Sequence, residues 1–295
     1  MGKSILNGMK RLRIFFGVDM DNTFFSHLKN KHVMSIALIT GGSSGIGLEI
    51  SKRFAKNGYT ICWVSLFEKE VKEAQKEILN EFPDTTIHFL IQDLSKEDGA
   101  THVYDWVRSK SLDIDVLINN AGIGTFGMST DIPMEKEVSM INLNVISVYK
   151  MTRMFFDEFS KKNKGTIINI SSAASFLPMP RLAAYAATKA FVAHYSQGLQ
   201  EELKEQGSKV KVITVCPAAI KDTKFKVAAN MEHLKAFEGI TVTTKKEVAD
   251  DVWKAFQKGI TYIRTGAKLR NSIWLTKILP KSIVLRILKH ELSEK

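Results

Sequence analysis

Thr40-Gly41-Gly42-Ser43-Ser44-Gly45-Ile46-Gly47 joins a short apolar run, Ile36–Thr40, to a segment of helical spacing (Ile46, Ile50, Phe54) that Gly58 ends. Glycines in such a turn let the main chain bend sharply, and they let a phosphate approach the free N–H groups and positive dipole end of the following helix. A glycine-rich string alone is weak evidence. Its place between a strand and a helix, at the start of a strand–helix–strand unit, gives it weight. The same alternation continues outward. Strands read at Thr60–Ser65, Thr86–Ile91, Val116–Asn119, Gly165–Ser171, Val210–Cys216 and Thr261–Arg264. Between them lie helices at Glu68–Phe82, at Ser95 (read as the cap) to about Lys110, and at Glu135–Lys161, Arg181–Gln206 and Lys246–Lys258. Residues 218–245 read as irregular. The expected fold is α/β: a doubly wound, mostly parallel sheet of about seven strands with helices on both faces, a Rossmann-like layout.

The 295 residues suit one large domain with extensions, and 44% apolar with 25% charged residues is ordinary globular composition. The net charge of +11 is concentrated at the ends. Residues 1–33 carry six Lys/Arg against two Asp, and residues 264–295 carry eight against two Glu, which leaves the body near neutral. This argues against a nucleic-acid-binding face on the core. The basic ends suit either an anionic membrane surface or plain solvated tails. Cys62 and Cys216 fall in strands, and no Cys/His set has metal-ligand spacing, so no metal and a reducing, cytoplasmic setting are expected, peripheral at a membrane if the ends bind one. No run reaches the ~18 apolar residues of a spanning helix. Met34 precedes the first strand by two residues, so residues 1–33 read as a real extension or as an upstream start. The division is 1–33 basic extension, 34–264 Rossmann-like domain and 265–295 basic amphipathic extension.

Tyr185 and Lys189 stand four apart in a helix, on one face. A tyrosine of pKa near ~10 is a poor acid–base group at neutral pH, and a nearby ammonium favours its phenolate. Such a pair can pass a proton to a carbonyl oxygen or take one from an alcohol. Alone, an i,i+4 pair is common on exposed helices. Here it accompanies T-G-x-x-x-G-x-G at Thr40–Gly47 and Asn119-Asn120-Ala121-Gly122 at the end of a strand. Over about residues 35–264 this set resembles the short-chain dehydrogenase/reductase family, in particular its hydroxysteroid-dehydrogenase-like and broad carbonyl reductase members.

The resemblance implies an NAD(P)-dependent oxidoreductase that interconverts a carbonyl and a secondary alcohol. Tyr185 is then the general acid/base and Lys189 its partner. Ser172, thirteen residues before Tyr185, holds the substrate oxygen, with Ser171 as the neighbouring alternative. Asn144 supports Lys189. The cofactor is implied to lie along Thr40, Gly41, Ser43, Ser44, Gly45, Ile46, Gly47, Ser65, Asp93, Leu94, Asn120, Ala121, Gly122, Tyr185, Lys189, Pro217 and Ile220. Ala218 replaces the family's usual glycine, and Thr223 comes one residue later than the usual threonine. Ser65, Leu66 and Phe67 put no acid at the tip of the second strand, which favours NADP(H) over NAD(H), although no arginine follows to hold the phosphate.

Ile220, Phe225, Val227, Met231, Leu234 and Phe237 give residues 218–245 an apolar face, and Phe176–Met179 form an opposing wall. A hydrophobic, steroid- or lipid-like substrate follows, or else these residues simply pack a lid onto the body. A 3-oxoacyl-thioester reductase is the alternative enzyme. A nicotinamide-sensing regulatory protein is the alternative from another class, which the presence of both Tyr185 and Lys189 disfavours. Two basic amphipathic helices broken at Pro280 are expected at the C-terminal end, to meet a membrane, a second subunit or the substrate cleft. The resemblance implies a homodimer or homotetramer.

Overall fold

A computed structural model describes residues 34–229, 231, 234–235, 242–266 and 280–292. The expected N-terminal extension, the first of the two C-terminal helices and Phe237 lie outside the described residues. The chain divides into two units, Met1–Met34 and Ser35–Lys295, and every element below belongs to the second.

Seven parallel strands form one sheet: β1 (Ile36–Thr40), β2 (Thr60–Ser65), β3 (Ile87–Ile91), β4 (Ile114–Asn119), β5 (Thr166–Ile170), β6 (Lys211–Pro217) and β7 (Tyr262–Thr265). Their order is β3-β2-β1-β4-β5-β6-β7. Strand order reverses between β1 and β4, and a crevice opens there beyond the carboxyl ends of the strands. The strands are apolar on both faces because both faces are covered. Ala37 and Ile39 pack under α1 (Gly45–Lys56), α2 (Glu68–Glu81) and α8 (Lys245–Lys258). Leu38 faces the other way, toward α3 (Gly99–Ser109), α5 (Val148–Lys162) and α6 (Ala183–Glu205). The alternating side-chain direction of a strand produces this division.

The structure corrects several local expectations. Ser95 caps no helix: its N–H and hydroxyl both donate to Asp93 Oδ1, at 2.9 and 2.7 Å, which spends it on a tight turn, and α3 begins only at Gly99. The single helix expected over 135–161 is three pieces: α4 (Met134–Ile141), a π-helical stretch at Asn142–Ser147, and α5. A wide turn of this kind leaves the side-chain period of the sequence nearly unchanged, so periodicity does not disclose it. Arg181 adopts φ +64°, which delays α6 to Ala183. Within the stretch read as irregular lies a short helix, α7 (Phe225–Ala228), whereas α8 is the helix expected at 246–258, begun by a reciprocal capping pair of Thr244 and Glu247. Past Pro280 runs α9 (Lys281–Glu291). Among the described residues no helix is long and apolar enough to cross a membrane.

Candidate active site

The glycine turn closes because Gly41 and Gly45 take φ of +63° and +56°, and because a Cβ on Gly47 would overlap the Gly41 carbonyl oxygen. Ser44, at the N-cap of α1, is extended and caps nothing with its side chain, and the first turn holds no acid. The orphan N–H groups there are left to an external acceptor, and the residues present fit a cofactor pyrophosphate.

Thr40 and Asn120 spend their side chains inside the protein. Thr40 Oγ1 accepts from the N–H groups of Asn120 and Ala121, both at 3.0 Å. Asn120 Nδ2 donates to the carbonyls of Thr40 and Gly41 at 2.9 and 3.1 Å. The end of β4 is thereby tied to the turn after β1. Ser43 donates to Ser65 at 2.9 Å and links the turn to the tip of β2, beyond which Leu66 and Phe67 are exposed. Asp93 stands at the end of β3, and Leu94 is buried beneath α3. Ile220 and Thr243 pair in a short bridge that fastens the segment after Pro217 to the start of α8.

Ser172, Tyr185, Lys189 and Asn144 converge at the carboxyl edge of β4 and β5. Ser172 begins a short 3-10 turn and accepts from the Ala174 N–H at 3.1 Å. Ser171 donates to the Lys189 carbonyl at 2.7 Å, so it braces α6 from the buried side. Burial pushes the Tyr185 hydroxyl up to about 12, and its hydrogen bond with Ser172 draws it partly back. Lys189 Nζ donates to the Ile170 carbonyl at 3.1 Å and lies 5.9 Å from the centre of the Tyr185 ring. Burial pulls this ammonium down to about 8, and Cys216 opposes the shift. Desolvation is the largest cause of both shifts: it favours the neutral phenol of Tyr185 and the neutral amine of Lys189.

Asn144 sits in the π stretch, fully buried. It accepts from the Ile123 N–H at 3.1 Å and donates to the Ile123 carbonyl at 2.8 Å and to Thr188 Oγ1 at 3.2 Å. A Cβ on Gly122 would lie 3.1 Å from Asn144 Oδ1 and 3.3 Å from Lys189 Nζ, so both polar heads border this glycine.

An apolar cluster closes over Tyr185. Met140, Leu182, Met231, Leu234 and Leu292 are buried in it, with Phe126, Met179 and Phe225 against it. The Phe225 and Tyr185 rings are 5.5 Å apart. Val227, expected on the same apolar face, is exposed, and Phe176 lies beneath the Arg264 guanidinium, 5.4 Å from its ring centre. Leu292 answers part of the question about the C-terminal segment, which packs beside the cleft. Sequence reasoning missed Phe126, Met140 and Leu292, which share no motif with Tyr185. It also missed a buried polar chain behind the site. Asn119 Nδ2 donates to Asn169 Oδ1 at 2.8 Å and to Thr152 Oγ1 at 3.0 Å, and Asn169 Nδ2 donates to Ser196 at 2.9 Å. The signal was present as two asparagines inside otherwise apolar strands.

A doubly wound sheet with an open helix N-terminus at its switch point and a tyrosine–lysine–serine set beside it defines a nucleotide-dependent oxidoreductase. The chain belongs to the short chain dehydrogenase family, whose model matches residues 35–233. It is 32% identical over 270 residues to a very-long-chain 3-oxoacyl-CoA reductase of Anas platyrhynchos, covering 88% of this chain and 84% of that one. It is 30% identical over 267 residues to a 17-beta-hydroxysteroid dehydrogenase type 3 of Danio rerio, covering 86% and 79%. The Rattus norvegicus very-long-chain 3-oxoacyl-CoA reductase is 36% identical over 182 residues, 58% of this chain and 55% of its own length. Among solved structures, a short-chain dehydrogenase from Sphingobium yanoikuyae in complex with NADPH superposes with a TM-score of 0.71 at 28% identity, covering 78% of this chain and 87% of that one. The protein is an NAD(P)-dependent oxidoreductase.

Proposed function

We propose that residues 34–264 form the catalytic domain of a reductase that takes NADP(H) and reduces a hydrophobic, lipid-like ketone, with 3-oxoacyl thioesters as the substrate class and steroid ketones as the second reading. The observation that carries this is the apolar cluster in which the Tyr185 side chain is packed, with the Phe225 ring against its own. A charged or strongly polar substrate would desolvate there at a cost. The names of the duck and zebrafish relatives support the two substrate classes in that order.

The nicotinamide cofactor supplies the hydride. Thr40, Gly41, Ser43–Gly47, Ser65, Asp93, Leu94, Asn120–Gly122, Pro217 and Ile220 would hold it along the crevice. Tyr185, kept protonated by burial, donates its proton to the substrate oxygen, and Ser172 steadies that oxygen as charge develops on it. Lys189 holds positive charge beside the phenolate that remains, and Asn144 fixes the Gly122–Ile123 backbone next to the ammonium. NADP(H) is favoured because the tip of β2 offers serine, leucine and phenylalanine where an acid would repel a 2′-phosphate.

A homodimer is proposed through the outer faces of α5 and α6, where Tyr149 and Phe191 are exposed and each ring meets Tyr195, at 5.5 and 5.6 Å. Contact of a cytoplasmic enzyme with a membrane surface is proposed through α9, which exposes Ile283 and Ile287 beside Arg286.

The test is NADPH oxidation against 3-oxoacyl-CoA esters of rising chain length, steroid ketones and short aldehydes, for wild type and Tyr185→Phe. Turnover rises with chain length in the wild type and vanishes in the variant, which still binds cofactor. Near wild-type turnover in Tyr185→Phe sinks the mechanism. Activity confined to short polar aldehydes sinks the substrate class.

A further inference from the structure

The tip of β2 lacks an acid, and it also lacks a cation to meet a 2′-phosphate. The structure brings a cation to that neighbourhood from elsewhere in the chain. Thr223, in the segment after β6, lies with its Oγ1 3.6 Å from where a Cβ on Gly45 would stand, so this segment runs against the glycine turn. The next residue, Lys224, extends to Glu70 in the first turn of α2, with Nζ 3.2 Å from Oε1. Glu68, the other acid of that turn, pairs within its own helix with Lys72 at 2.8 Å. Helix α2 starts three residues past Ser65, so Lys224 is held at the first turn of the helix that follows the strand tip, beside which the adenosine ribose of a dinucleotide rests.

We propose that Lys224 is the cationic partner of the cofactor's 2′-phosphate, carried on the segment that closes over the cleft and parked on Glu70 until the phosphate arrives. This rests on the NADP(H) reading above and deepens it. The exchange is favourable on magnitudes. The Lys224 side chain is 84% exposed, and an exposed lysine–carboxylate pair contributes little, whereas a phosphate offers more charge and three acceptor oxygens. Glu70 then works against the phosphate, as a like charge left beside it. Selectivity is set by Lys224 and restrained by Glu70, and phosphate binding pins the segment that bears Phe225 over Tyr185. Cofactor choice and closure of the substrate cleft are thereby coupled through consecutive residues.

The experiment is a fluorescence titration of the full-length protein with NADPH, NADH, 2′,5′-ADP and ADP, for wild type, Lys224→Ala, Lys224→Arg and Glu70→Gln, with thermal melts to establish folding. Lys224→Ala weakens NADPH and 2′,5′-ADP by about tenfold and leaves NADH and ADP within about twofold. Lys224→Arg retains most of the NADPH affinity, and Glu70→Gln tightens NADPH. Equal losses for NADPH and NADH assign Lys224 to the shared pyrophosphate and overturn the proposal, as does an unchanged NADPH affinity in Lys224→Ala. A wild type that binds NADH more tightly than NADPH overturns the NADP(H) reading instead, and the effect of Lys224→Ala on 2′,5′-ADP still decides this one.

Discussion

Lys189→Met separates the contribution of this lysine to stability from its contribution to chemistry. The Lys189 ammonium is buried, donates to the Ile170 carbonyl, and meets no carboxylate among the described residues. Burial lowers it from 10.5 to about 8, and a drop of that size corresponds to a folding penalty on the order of 3 kcal/mol. Below pH 8 both the folded and unfolded chains hold the proton, so the whole penalty is present. Between about 8 and 10.5 the unfolded chain binds more protons than the folded one, so stability rises with pH and the penalty disappears. Methionine fills the space without the charge and leaves the Ile170 carbonyl unpaired, which returns about 1 kcal/mol. The variant is therefore expected to be more stable than wild type by about 2 kcal/mol at pH 7, with the difference vanishing between about pH 9 and 10 and reversing to at most about 1 kcal/mol above 10.5, and to be inactive. Urea unfolding of both proteins at several pH values measures it. Tyr185, raised to about 12, lowers stability as pH climbs above 10 in both proteins and cancels in the difference. A methionine variant less stable than wild type at pH 7 refutes the claim that the ammonium is held there against its own desolvation.

The remaining expectations concern the walls of the site. Gly47→Ala drives a methyl into the Gly41 carbonyl, a backbone atom that cannot move aside, so it should cost roughly 1–3 kcal/mol or more in thermal unfolding and weaken NADPH in a binding titration. Asn169→Leu removes three hydrogen bonds behind the sheet edge and strands part of the Asn119 amide, for a loss of about 2–4 kcal/mol in urea with little change in KM. A loss under about 0.5 kcal/mol would mean that the chain of amides contributes nothing. Phe225→Ala uncovers Tyr185 and should raise KM for a long-chain ketone about tenfold while sparing a short aldehyde. Liposome co-sedimentation of the full chain and of a chain ending at residue 265 tests the membrane contact, which fails if neither form binds.

The sheet was legible in the sequence because buried parallel strands are short apolar runs, and the runs at Ile36, Thr60 and Lys211 are broken by glycine, proline and charge on either side. Their ends shifted by a residue or two, as with Val116 giving way to Ile114, because a strand's ends are set by its neighbours. The π stretch was not legible, since its flanking backbone angles are those of an α-helix and its residues are unremarkable. Neither was Ser95, whose competition between capping and a turn is decided by the position of Asp93. The apolar cover was only half legible. Phe225, Met231 and Leu234 lie in the stretch that follows β6, but Met140 and Leu292 reach it from distant parts of the chain, which only the tertiary fold brings together.

The residues most recognisable as a motif are not all residues that face a ligand. The Thr40 hydroxyl and the Asn120 Nδ2 group are spent on the backbone of each other's loops, and Gly42 is a glycine because the Trp63 indole occupies the place of its side chain. What they preserve is the relative position of two loops, the turn after β1 and the end of β4, on either side of the switch point. Asn144 does the same for Ile123, one residue beyond Gly122. The proposed chemistry at Tyr185 therefore depends on a frame of satisfied polar groups one step removed from the cofactor. A substitution in that frame should act first on the alignment of both loops, and only through it on turnover. Thr40→Val makes the distinction measurable: it keeps the shape of the side chain but leaves the N–H groups of Asn120 and Ala121 without their acceptor. Cofactor affinity is expected to fall together with stability, whereas a residue that only touched the cofactor would lower affinity alone.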